Sequence, residues 1–173
     1  MRICDLLEEI ADSLPLHVDR LKCFYAATML RTSVAIHQMD EDRGLFPLMR
    51  KHGALEDGVL ASLDRLETEH MDDESLSSDI IDALENLARG KALQSVDGMS
   101  FMLRAFFDSH RRHILFENQI ILPMARKILN ADHLAEIEQV ILENRSISKA
   151  SFFSPSPCAS AKAAFMQRNQ WSD

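Results

Sequence analysis

Residues 113–123 read His-Ile-Leu-Phe-Glu-Asn-Gln-Ile-Ile-Leu-Pro, a histidine and a glutamate four positions apart in a segment that is otherwise mostly apolar. Four residues is close to one helical turn, so His113 and Glu117 leave one helix face, which Ile121 and Met124 continue. An imidazole and a carboxylate on a core-facing stripe are costly unless something satisfies them. The same device recurs upstream. "HQMDEDRGLFPLMRK" (37–51) and "HILFENQIILPMARK" (113–127) share His, Glu at +4, an aliphatic residue at +8, Pro at +10 and Arg-Lys at +13 and +14.

A third copy, "HMDDE" at 70–74, sits in the apolar series Leu60, Leu63, Leu66, His70, Glu74, Ser77, Ile81, Leu84. Seven histidines and twelve glutamates scattered independently along 173 residues would give about half an occurrence of His-x-x-x-Glu, the simplest reference for a periodic pattern. Four occur. His52 and Glu56 straddle Gly53 and do not share a helix face, which leaves three pairs.

Around these pairs the chain reads as helix. It has five glycines, five prolines and 46% hydrophobic residues, and no Val/Ile/Thr alternation marks strands. Apolar spacing and stop signals predict helix A over 3–14, helix B from Leu16 to Lys51 before Gly53, helix C from Leu55 to Arg89 before Gly90, and helix D from Val96 to Leu129 before Asn130. A short extra helix follows, "DHLAEIEQVILEN", with Asp132 as its N-cap. Short connections between long helices imply an all-α, up-down-up-down four-helix bundle over residues 1–145. Residues 146–173, rich in Ser, Ala and Pro, read as a low-complexity, disordered tail carrying Phe152, Phe153 and Trp171.

Several function classes drop out. A net charge of −8 disfavours nucleic acid and anionic lipid, no apolar run is long enough to span a membrane, and acids interrupt the N-terminal apolar pattern where a secretory signal would not carry them. Cys4, Cys23 and Cys158 are few, odd in number and far apart, which suits reduced, buried thiols and a cytoplasmic location.

Helix rise tests whether the three pairs meet. His37 lies 14 residues before Lys51 and His70 lies 15 after Leu55; His70 lies 19 before Arg89 and His113 lies 17 after Val96. In an antiparallel bundle the three histidines therefore share a level. Three imidazoles and three carboxylates converging in a core call for divalent cations, and this donor set suits iron, manganese or zinc.

The His37…Asp40-Glu41…Leu45-Phe46-Pro47 element, its echo at His113…Glu117…Pro123 and the central "EHMDDE" together resemble the haemerythrin-like family, the HHE cation-binding domain, over about residues 1–130. That resemblance implies a four-helix bundle holding two non-haem iron ions, with an open position for dioxygen, nitric oxide or peroxide. It implies His37, Glu41, His70, Glu74, His113 and Glu117 as metal ligands, with Glu41 and Glu117 bridging. Some relatives have a histidine at the position of Glu74.

Family members carry one more histidine, on helix A. His17 falls 20 residues before His37, about 30 Å along one helix, and reads as a surface residue. A helix A residue level with His37 would precede Met1, so helix A is expected to be truncated and to supply no ligand. His110, one turn before His113 on the same stripe, is a candidate for a spare ligand or for a side chain that contacts one. "ETEH" contains the Glu-x-x-His of ferritin-like di-iron proteins, but that fold needs it twice. Met102, Phe106, Phe107 and Met124 read as core, and Asp40, Asp42, Asp72 and Asp73 as solvated acids or supports of the ligands.

The leading expectation is a protein that binds or senses a diatomic, peroxide or redox species at a di-iron centre. A di-iron oxidase, peroxidase or nitric-oxide-handling repair enzyme is the alternative. A metal-free helical interaction module is a third, since a groove left open by a short helix A invites a partner or a second copy of the chain.

Overall fold

The computed structural model describes residues 3–153, with side chains described as far as Ile147. The described residues are helical, and none of their helices is long and apolar enough to cross a membrane. Helix α1 is Ile3–Ser13; α2 covers residues 20–53; α3 is Val59–Ala88; α4 covers residues 96–128; α5 is Ala131–Phe153. Helices α1 to α4 pack in a ring, α1 on α2 and α4, and α3 between α2 and α4 on the opposite side. This is the expected four-helix bundle.

The helix starts differ from the sequence reading, each for a local reason. Helix α2 begins at Arg20 rather than Leu16, because the Asp19 carboxylate accepts the orphan amides of Leu21 and Lys22 at 2.9 and 3.2 Å. Pro15 and the exposed His17 stay in the corner before it. Helix α3 begins at Val59, after Gly58 at φ +79°, a left-handed conformation that suits glycine. At α5 it is Asn130, not Asp132, that caps: its side-chain oxygen accepts the His133 amide at 3.0 Å.

Helices α2 and α4 are not uniform. Leu30–Val34, Glu41–Leu45 and Glu117–Ile121 are π-helical turns. The last two start at the glutamates of the repeated motif, and in both the amide five residues on, Phe46 or Leu122, bonds back to the glutamate carbonyl. Pro47 and Pro123 follow directly. A proline ring collides with the carbonyl four residues earlier in a regular α-helix and removes one hydrogen bond, and a widened turn relieves both.

The extra residue in each wide turn rotates everything after it. Beyond Glu41 the buried side chains are Phe46, Leu48 and Met49, with Leu45 half-buried; beyond Glu117 they are Ile121 and Ala125, with Met124 only half-buried.

Two apolar clusters result, separated by a polar layer. The upper one joins Leu6, Leu7 and Ile10 of α1 to Ala26 and Leu30 of α2, Ile80 and Leu84 of α3, and Leu103, Phe106 and Phe107 of α4. The lower one, Phe46, Met49, Val59, Leu63, Leu66, Ile121 and Ala125, comes from α2, α3 and α4 alone. No described residue of α1 is part of it. Instead α5 lies along α2, where Val140 and Ile137 approach Gly44 so closely that a Cβ there would sit 3.5 and 3.6 Å from them. Asn144 of α5, buried, donates to Asp40 at 3.0 Å, and Arg145 pairs with the same carboxylate at 2.9 Å.

Helix α5 is therefore longer than the short extra helix expected and runs on through 146–153, residues read as tail. The groove expected to stay open below α1 is covered by it. Residues 154–173, with Cys158 and Trp171, lie outside the described residues.

Candidate metal centre

Between the two apolar clusters lie six buried polar side chains, Glu41, His70, Asp73, His110, His113 and Glu117. Each of α2, α3 and α4 contributes, and the level arithmetic explains why they meet. One donor atom from each of Glu41, His70, His113 and Glu117 lies within 4.8 Å of the other three. His70 Nε2 is 3.2 Å from His113 Nε2 and 3.4 Å from Glu41 Oε2, and His113 Nε2 is 2.5 Å from Glu117 Oε1. His37 joins from the edge, its Nε2 3.6 Å from both Glu41 and Glu117, with its side chain 48% exposed.

Outer carboxylates orient the inner imidazoles. Asp42 Oδ1 accepts from His70 Nδ1 at 2.7 Å, and Glu69 Oε2 from His113 Nδ1 at 2.8 Å. A neutral ring that donates through Nδ1 carries a bare lone pair on Nε2. The two Nε2 atoms then face each other as acceptors, across from two carboxylates. Glu41 Oε2 and Glu117 Oε1 are buried and meet no donor in good geometry. Four buried acceptors aimed at a common point suit a cation, and the carboxylate-to-imidazole support on the far ring nitrogens is how metal-binding histidines are held. The residues present fit a metal.

The proton affinities tell the same story. Burial lowers the tendency of His70 to protonate, but Asp42 and Glu41 outweigh it and push the imidazole up to about 9. His113 is raised against its burial by Glu117 and Glu69, and His37 chiefly by Glu117. Glu117, despite burial, is held well below the ordinary carboxylate range by His113 and His37. With no cation, protons on the imidazoles must offset the carboxylates. A divalent ion would replace them.

Among the residues expected as ligands, the structure gathers Glu41, His70, His113 and Glu117, sets His37 beside them half-exposed, and places Glu74 elsewhere. Glu74 is exposed and lines a cavity between α2 and α3. Its neighbour Asp73 takes the inward position, because the buried series of α3 runs Leu63, Leu66, His70, Asp73, Ile80, Leu84, Leu87, a three-four alternation in which the step after His70 is three. That alternation is visible in the sequence once Ile80 rather than Ile81 is chosen. Asp73 accepts from buried His110 at 3.2 Å, and the His110 ring lies parallel to that of His113 at 5.9 Å, so His110 supports rather than joins the cluster. Glu69, one residue before His70 yet holding His113, carried no recognisable signal of that role. No residue of α1 is in the cluster.

The profile of the hemerythrin HHE cation binding domain matches residues 1–125, which takes in α1, α2, α3 and every residue of the cluster. No curated protein and no solved structure matches the chain significantly. With its helical bundle and a buried His/Glu cluster capable of binding metal, the chain belongs to the hemerythrin HHE cation-binding domain family.

Proposed function

We propose that the chain holds two iron ions, with manganese or zinc as substitutes, and binds or senses dioxygen, nitric oxide or peroxide there. The observation that carries this reading is the convergence of four buried acceptor atoms within 4.8 Å, two of them carboxylate oxygens without a donor. His70, His113, Glu41 and Glu117 would hold the inner metal position, and His37 with the carboxylates of the same two glutamates the outer one. Iron, when bound, supplies redox chemistry and positions for an exogenous ligand.

The protein's own residues do the rest. Asp42 and Glu69 fix the tautomers and the ring planes. The stacked Phe46 on His70, with ring centroids 5.6 Å apart, and the apolar clusters above and below keep water from the inner ligands. His37 is the most exposed of the five proposed ligand side chains, which makes its flank an entry for a small ligand.

Metal analysis of protein expressed in iron-supplemented medium tests the first step: bound iron is expected, and none after supplementation with iron, manganese and zinc rejects the reading. His113→Ala, which removes a central donor but no core hydrocarbon, is expected to stay helical and lower metal affinity by more than a hundredfold. A visible absorption change on aerating the reduced, iron-loaded protein would identify dioxygen as a ligand.

A further inference from the structure

The half-exposed His37 flank of the centre borders a cavity. This cavity, of about 530 Å³, lies between α2, α4 and α5, with His37, Asp40 and Glu41 at one end and Arg126, Leu129 and Leu134 at the other. That volume is within the usual range for small-molecule sites and far larger than a diatomic needs. We propose that this slot binds an aliphatic monoanion, a medium-chain carboxylate, with its acid at Arg126 and its chain running toward His37.

The dimensions come from the helix register. Asp40 meets Asn144, and Gly44 meets Ile137 and Val140, so α5 runs antiparallel to α2. The apolar stretch of the slot, from Leu122 to Leu129 on α4 and from Leu134 to Ile141 on α5, is about 10 Å long, which suits roughly eight to ten carbons, with His37 beyond its upper end. Its walls are Leu45, Leu122, Ala125, Ile137 and Ile141, hydrocarbon throughout.

The charges settle the orientation. Asp40 is taken up by Asn144 and Arg145, and Glu41 faces His70 and His37. Arg126 has no ion-pair partner among the described residues and is exposed at the far end. A guanidinium at the mouth of an apolar slot favours a carboxylate there, with the chain desolvated beyond it. Helix α5 supplies the wall that makes the slot, so the site exists only because the lower half of the bundle is closed by α5 rather than by α1.

The binding needs no metal; only the position of the chain's end beside the centre rests on the proposed function. Isothermal titration of the full-length protein with decanoate, below its micellar concentration, tests the proposal with and without bound iron. Saturable one-to-one binding is expected in both, weakened at least tenfold by Arg126→Gln, while decanol binding is unchanged by that variant. Ile137→Trp, which fills the slot, is expected to abolish both, with helicity checked by circular dichroism. No saturable binding, or binding indifferent to both variants, overturns the proposal. Protein that holds no metal yet binds decanoate with these sensitivities keeps the slot and discards the metal centre.

Discussion

The upper and lower halves of this bundle share three helices and differ in the fourth. Above the polar layer, α1 inserts Leu6, Leu7 and Ile10 between α2 and α4 and the core is continuous hydrocarbon. Below it, α5 comes in from the other end of the chain, touches α2 through Gly44 and Asp40, and leaves a cavity against α4. Close packing gives the upper half its stability, whereas the lower half trades contact for a route to His37. No described residue of α1 belongs to the His/Glu cluster.

Three measurements sharpen that contrast. Phe106, fully buried in the upper cluster, should cost about 3–5 kcal/mol on truncation to Ala, whereas Ile137→Ala on α5, half-buried, should cost well under half as much. Denaturant unfolding reads both, and equal losses would mean that α5 is as integral as α1. Next in size, Glu69→Gln keeps the shape of the side chain but weakens its hold on His113 Nδ1; metal affinity should fall about 10–100-fold with little change in unfolding midpoint. An unchanged affinity would show that Glu69 does not orient the ring.

The smallest effect is on pH dependence. His70, His37 and His113 have folded-state proton affinities above the ordinary histidine value, His70 at about 9. The contribution of His70 to the metal-free fold is complete below the unfolded value of about 6.5 and is lost as pH rises through about 9, and those of His37 and His113 are lost in the same direction. Metal-free protein should therefore lose stability across that window while metal affinity, which competes with the same protons, rises.

Much of this was legible beforehand because it rests on local rules. The three histidines of the His-x-x-x-Glu pairs reached one level because helix rise is nearly uniform, and their helices ended near Gly53, Gly90 and Asn130 as stop signals require. Glu74 shows where the reasoning failed. Residues 73 and 74 are both within one turn of His70, and spacing alone does not decide which faces inward; the crossing of α3 against α4, which sets Asp73 beside His110, does. The prolines at 47 and 123 offered a signal for the wide turns, since each removes an amide six residues after a glutamate.

By itself, the sequence determined the all-helical bundle and the shared level of His37, His70 and His113. Periodicity, rise and capping act within single helices, so they can be read one segment at a time. Tertiary structure decided the rest: that Asp42 and Glu69 hold the imidazoles, that Asp73 displaces Glu74 from the interior, and that α5 becomes the missing wall. Those outcomes depend on how helices cross and on which apolar face finds another, and α5, with apolar residues on more than one side, carries no stripe that names its partner.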